Sequence, residues 1–222
     1  LKNTESYPVG RIEEITLHPL NFEEFLEAIG ELQSLKELHN VPLNNYAFEK
    51  LSSLFRNFSI IGGMPEVVKT YIETGRTMQR LNEVYASLWN AYRADFSKYA
   101  ATLNQANVLR HVISTAPFER DRINFVRFGA SNYQSREVSD ALRLLDLARI
   151  IFLIYPSSSI LPPIQPTLKR KPRLQFLDTG LLNYASNIQS ELLSLNEVND
   201  YHRGFITGHI VTQELISLNT DS

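Results

Sequence analysis

The chain has 222 residues, 43% of them hydrophobic and 21% charged, with a net charge of −2, the composition of an ordinary folded protein. No apolar run approaches the roughly 20 residues a membrane span needs, no signal-peptide pattern opens the chain, and the lack of cysteine excludes a disulfide framework, thiolate zinc sites and a cysteine nucleophile. The expectation is a cytoplasmic protein of one large domain or two small ones. Charge is uneven, with a net +4 over residues 121–180 and −4 over 181–222, so local patches decide how anionic partners are met.

The first element is RIEEITL, a short strand with Ile12, Ile15 and Leu17 apolar. Asn21 followed by Glu24 gives FEEFLEAIG a capping-box start, and Gly30 a stop. Phe48, Leu51, Leu54, Phe55 and Phe58 recur at helical spacing over residues 46–60. Gly62-Gly63 breaks that helix, and Pro65 opens another that runs to about Ile72. The longest helical stretch, Thr77 to Ala100, puts Leu81, Val84, Tyr85, Leu88, Trp89 and Tyr92 on one face, an aromatic stripe whose role is core packing.

From Asn104 the rhythm changes. ANVLRHVISTA predicts a helix, INFVRFGA a short one, and QSREVSDALRLLDLARI a longer one with Val138, Leu142 and Leu145 inward. IIFLIY and RLQFLD predict two strands around the loop PSSSILPPIQPTLKRKP. Helix, short helix, helix and two-stranded ribbon are the order of a winged helix, and the fold class expected is mainly α with a small β wing. At the far end FITGHIVTQELISLNTDS reads as an apolar helix with nothing to pack on. Both ends are expected to be cuts through a longer chain.

Asp-Thr-Gly in LQFLDTGLL is how an aspartic protease presents its catalytic carboxylate, but that chemistry needs two carboxylates sharing one proton. The chain has one such triplet, and its flanks are helical. Asp178 is expected instead to cap the helix begun by LLNYA, so that Asp178→Asn costs little and Asp178→Ala about 1 kcal/mol. Other chemistry is thin. His18, His39, His111, His202 and His209 show no metal-ligand spacing, Glu13-Glu14 and Glu23-Glu24 are adjacent and point to different faces, and the serines of PSSSI lack a nucleophile elbow. No metal site and no enzyme site is expected.

Four stretches in order, SYPVGRIEEITLHPLNFEEFL, IIGGMPEVV, YRADFSKYA and LQFLDTGLL, resemble the C-terminal half of the prokaryotic predicted AAA+ superfamily ATPases. In these a P-loop ATPase core is joined to a helical and winged-helix domain of unknown function. The resemblance implies the end of an ATPase core over residues 1–30, a helical lid over 31–100, a winged-helix domain over 101–180 and the start of a truncated restriction-endonuclease-like segment over 181–222. No G-x-x-x-x-G-K-[ST] occurs, so ATP and Mg²⁺ belong to the parent protein and this chain alone is expected to hydrolyse nothing.

The resemblance also implies site residues. Arg11, of the family's Gly-Arg pair, stands where an arginine finger would neutralise charge on a transferring phosphoryl group, with pairing to Glu13 as the plainer alternative. Gly62, Gly63 and Pro65 resemble the Gly-x-Pro of ATPase lids that lies against nucleotide, a helix break alone being the alternative. Gly208 stands where the nuclease-like segment has a metal-binding Glu, and Glu214 is six residues on, which puts nuclease activity in doubt.

Basic residues carry the last signal. Lys169, Arg170, Lys171 and Arg173 on the wing, with Arg136 and Arg143 on the recognition helix, are the nucleic-acid candidates. Glu137, Asp140 and Asp146 on the same helix favour contact with a protein or another domain. The function expected is coupling of nucleotide state in an upstream ATPase core to a protein or DNA partner, without a membrane and in an assembly that allows oligomers. The rival is a stand-alone winged-helix DNA-binding regulator.

Overall fold

The computed structural model describes residues 16–75, 77–189 and 200–218; Arg11 and residues 11–15 of the expected RIEEITL strand lie outside them, while Thr16 and Leu17 are not in a strand. The described chain is mainly helical with one two-stranded antiparallel sheet. Asn21 caps α1 (Phe22–Ala28) through a complete capping box with Glu24. A short α2 (Leu32–Leu38) follows, which the sequence reading missed. It has no side-chain cap and only three apolar positions, Leu32, Leu35 and Leu38, of which Leu35 and Leu38 pack half-buried against the core, a stripe too short to stand out in the sequence. Next come α3 (Asn45–Ile61), α4 (Pro65–Glu73), α5 (Met78–Lys98) and α6 (Leu103–Thr115).

The expected short helix at INFVRFGA is instead an irregular loop of bends and turns. Ile123 donates its amide to Pro172 and Arg122 bridges Arg173, while only Phe128–Ala130 forms a 3₁₀ turn. Arg127, Gly129 and Ala130 sit at positive φ, a conformation that ends any helix. α7 (Ser135–Leu147) leads to β1 (Ile151–Ile154), and β2 (Arg173–Phe176) returns antiparallel with Ile151 opposite Phe176 and Ile154 opposite Arg173. Among the described residues two more helices follow, α8 (Thr179–Ala185) and α9 (Asp200–Leu218).

The buried side chains form two clusters. Phe22, Phe25 and Phe58 stack with Leu51, Leu54, Val67, Leu81 and Tyr85 in the first, with ring centroids 5.2 Å apart for Phe25 and Phe58. Val112, Ile123, Phe128, Val138, Leu142, Leu145, Ile151 and Phe176 make the second. Neither is closed by its own elements. Along α5, Leu81 and Tyr85 belong to the first while Trp89 and Tyr92 flank both; in α8, Leu181 enters the first and Leu182 the second. The residue-180 boundary expected from the sequence thus falls inside a helix that both clusters share.

α9 corrects a further expectation. It packs against α8, β2 and α3, burying Ile206 and Ile210 in the first cluster, and leaves Val211, Leu215 and Leu218 exposed. Its partners are distant in sequence, so the helix looked orphaned when read locally.

Gly180 marks the tightest junction. A Cβ there would overlap the carbonyl oxygen of Ile61 and the hydroxyl of Tyr85, whereas one at Gly208 on α9 would meet nothing within 4 Å. Gly180→Ala is therefore expected to cost about 2–4 kcal/mol, lowering the thermal midpoint by about 10 °C. Gly208→Ala is expected to be neutral or stabilising by up to about 1 kcal/mol. Equal midpoints for the two variants would contradict the packing described.

Candidate functional site

Asp178 organises the region where the two most distinctive motifs meet. Extended backbone at φ −146°, ψ 137° places it as the N-cap of α8, where Oδ1 accepts the Leu181 amide at 2.8 Å. Oδ2 accepts the Gly63 amide at 2.7 Å, 115 residues away in sequence. The capping role expected of Asp178 is observed, but it is half of the arrangement. Asn in its place would turn an NH₂ toward one of the two amides, so the expectation that Asp178→Asn costs little does not hold.

The glycine pair is shaped by the same contact. Gly62 ends α3 at φ +66°, and a Cβ on it would run into the Asp178 carboxylate, while one on Gly63 would run into the Leu20 carbonyl. Gly63 also accepts the Leu20 amide at 2.8 Å. The close backbone approach that Gly62 and Gly63 permit is thus taken up by Leu20 and Asp178 of the chain itself. Pro65 sits at the first position of α4, exposed, beside a shallow groove of about 250 Å³ lined by Leu20, Ala28, Val68 and Ile72.

The orphan carbonyls at the end of α3 find donors from α8 and α5. Asn183 Nδ2 donates to Ser59 and Ile60 at 3.0 and 3.1 Å, and the Tyr85 hydroxyl donates to Ile61. α9 completes the enclosure: Gln213 accepts the Thr179 amide at 2.9 Å, and Glu214 accepts the Phe22 amide at 3.0 Å. Glu214 is therefore committed to the start of α1, and Gly208 lies exposed on α9. Among the described residues no group of three or more His, Asp or Glu is placed to hold a metal ion.

The basic candidates divide among surfaces. Arg136 is exposed and 4.0 Å from Asp140 one turn along; Arg143 is exposed, seven residues on along the same helix. Lys169, Arg170 and Lys171 are exposed on the wing loop, whose base Arg122 clasps by donating to the Lys171 carbonyl at 2.9 Å. The loop also exposes Ile160, Leu161, Ile164 and Leu168. Arg173 points elsewhere, into a cleft between β2 and α9. Two of the acids on α7 have structural work: Glu137 accepts the Gln134 amide and Asp146 the Leu153 amide of β1.

Burial pushes the Asp178 carboxyl up to about 6 from its ordinary 3.8, against the pull of the Gly63, Leu181 and Gly180 amides. Burial pushes His209 on α9 down to about 4 from 6.5, opposed by the Phe205 carbonyl and assisted by the charge of Arg120. The folded state holds the Asp178 proton to higher pH than the unfolded chain, so that stability is present below about pH 4 and lost as pH rises through about 6. His209 acts in the opposite sense: its contribution is present above about pH 6.5 and lost as pH falls through about 4. Shifts of this size correspond to at most about 3 kcal/mol each. The two slopes oppose one another in the wild type, with Glu214, also raised by burial, adding to the Asp178 side. Asp178→Asn is expected to lose about 1–3 kcal/mol for the abandoned amide and to leave a stability that climbs from pH 4 to 6.5. His209→Gln is expected to leave one that declines. Urea unfolding at stepped pH measures both; parallel curves for the two variants would refute the assignment.

No curated protein and no solved structure matches the chain. The family model described as a domain of unknown function, DUF8612, matches residues 52–192, which takes in most of α3, the glycine pair, the wing and the Asp178 cap. The chain belongs to the DUF8612 family.

Proposed function

We propose that this chain is a non-catalytic coupling module of an AAA-type ATPase, in which a helical lid and a winged helix convey nucleotide state from an upstream ATPase core to a protein partner. The observation that carries the reading is the Asp178 junction. Its carboxylate ties the end of α3 to the start of α8, and α5 and α8 pack into both clusters. A displacement imposed on the lid is transmitted to the wing because packed elements shift as bodies and do not deform continuously.

ATP and Mg²⁺ belong to the parent ATPase in this reading, and the upstream core docks near Pro65, where the apolar groove beside α4 lies open. Arg11 would act within that core, as an arginine finger. No helix of the described chain is long and apolar enough to cross a membrane, and a cytoplasmic setting goes with the proposal.

The partner at the wing is a protein surface rather than DNA. Ile160, Leu161, Ile164 and Leu168 are each more than half exposed on the loop that carries Lys169, Arg170 and Lys171. Apolar side chains gain little against a phosphate backbone and much against an apolar pocket. The stand-alone DNA-binding regulator would use the basic face instead.

A salt titration with labelled duplex separates the two. DNA binding through the wing would make log affinity fall steeply with log salt, each phosphate contributing about 0.9 to the slope, and replacing Lys169, Arg170 and Lys171 with Ala would flatten it by about 3. The expected result is no such slope. In the parent ATPase, Ile160→Ser combined with Leu161→Ser is expected to change ATP turnover or nucleotide affinity without altering the fold. A steep linear slope, together with unchanged turnover, would give the function to DNA.

A further inference from the structure

The wing loop between β1 and β2 has a composition that its own fold does not use. No Asp or Glu occurs between Asp146 and Asp178, a span that carries Arg149, Lys169, Arg170, Lys171 and Arg173. The two acids that bound it are committed, Asp146 to the Leu153 amide and Asp178 to the amides of Gly63 and Leu181. Lys169, Arg170 and Lys171 are exposed, and no ion pair among the described residues engages them. Beside them stand four large apolar side chains, Ile160 at 91%, Leu161 at 72%, Leu168 at 69% and Ile164 at 61% exposed.

The loop presents this surface in a preformed shape. Thr167 donates its amide to the Pro156 carbonyl at 2.8 Å, Ser157 and Pro166 form a bridge, and Arg122 holds the Lys171 carbonyl. Five prolines from Pro156 to Pro172 fix φ and lower the cost of ordering on contact. The apolar and basic features lie side by side. All three cations follow Leu168 on the returning limb, and the outgoing limb from Pro156 to Leu161 has none. A bilayer would favour an apolar tip inside a collar of cations on both limbs. Nucleic acid would leave the apolar side chains unmet. Four apolar side chains are also far fewer than the roughly 20–30 residues per side of a globular interface. They suit a single helix, whose apolar stripe has a polar edge directly beside it.

We propose that the wing loop docks an acidic amphipathic helix of a partner protein. Ile160, Leu161, Ile164 and Leu168 would take its apolar stripe, and Lys169, Arg170 and Lys171 the row of carboxylates along one edge. This partner chemistry rests on the reading of the wing as the module's protein contact. Neither an acidic polymer without apolar groups nor a neutral apolar helix satisfies both halves of the surface.

The test uses the full chain and three synthetic helical peptides of about 18 residues, or about five turns. One carries Leu at i, i+3, i+4 and i+7 flanked by Glu; in the second Gln replaces Glu, and in the third Ser replaces Leu. The Leu–Glu peptide is expected to bind saturably with micromolar affinity and to move the backbone amide resonances of residues 157–171. The other two are each expected to bind about tenfold (about 1.4 kcal/mol) more weakly, or worse. Ile160→Ser combined with Leu161→Ser, and separately Lys169, Arg170 and Lys171 replaced by Ala, are expected to keep the wild-type thermal midpoint. Each is expected to weaken the Leu–Glu peptide about tenfold or more. Four results would overturn the proposal: no saturable binding of that peptide, equal binding of either control peptide, affinity unchanged in either wing variant, or tighter binding to phosphatidylserine vesicles than to the peptide. Such a failure, with parent ATP turnover still altered by Ile160→Ser and Leu161→Ser, would leave the wing a protein contact of other chemistry. Unaltered turnover would remove that reading as well.

Discussion

A buried carboxylate is unfavourable unless every oxygen lone pair directed inward is met. Asp178 satisfies that condition by drawing two pieces of backbone to itself, the amide of Leu181 at the start of α8 and the amide of Gly63 beyond the end of α3. The demand propagates. Gly63 can present its amide only because neither it nor Gly62 carries a Cβ, and Gly180 lets α8 press against the Ile61 carbonyl. Tyr85 and Asn183 then supply the donors that the last turn of α3 lacks. Remove the carboxylate and these contacts lose their common reference point.

This junction ties the elements of the two buried clusters to one another. A helix shared by two cores cannot rotate with one and stay with the other, and α5 and α8 are both shared. α9 adds a third tie: its Gln213 and Glu214 accept the amides of Thr179 and Phe22, and its His209 carbonyl accepts a hydrogen bond from Gln175 of β2. The wing loop is held by local contacts instead, such as the Ser157 and Ser159 hydroxyls bonding to nearby backbone.

What was legible in the sequence was whatever depends on neighbours along the chain. The capping box at Asn21, Pro65 at the first turn of α4, the inward face of α7 and the cap at Asp178 all follow from spacing of a few residues. What was illegible depends on distance. Nothing near Gly63 says that Asp178 will meet it, and the apolar pattern of α9 does not name the cores it joins. His209 read as one more scattered histidine because its setting, between Phe205 and β2, exists only after folding. The short helix expected at INFVRFGA failed for a related reason: Ile123 prefers to complete a pairing with Pro172, a residue 49 positions later in the chain.

The acidic residues of α7 bear on the wing in a way that spacing alone obscured. Arg136 and Arg143 against Glu137, Asp140 and Asp146 leave the helix at a net −1. Glu137 and Asp146 cannot be exchanged freely, since one holds the start of α7 and the other holds β1 to its end. Their charge is thus a consequence of building the hairpin on the helix. With Arg136 also facing Asp140 and Arg173 turned into the cleft behind β2, attraction for phosphate rests mainly on Lys169, Arg170 and Lys171. Three solvated cations on a loop bring weak, salt-sensitive association. The four apolar side chains exposed beside them remain unsatisfied by any such partner, and that imbalance favours a protein surface at the wing.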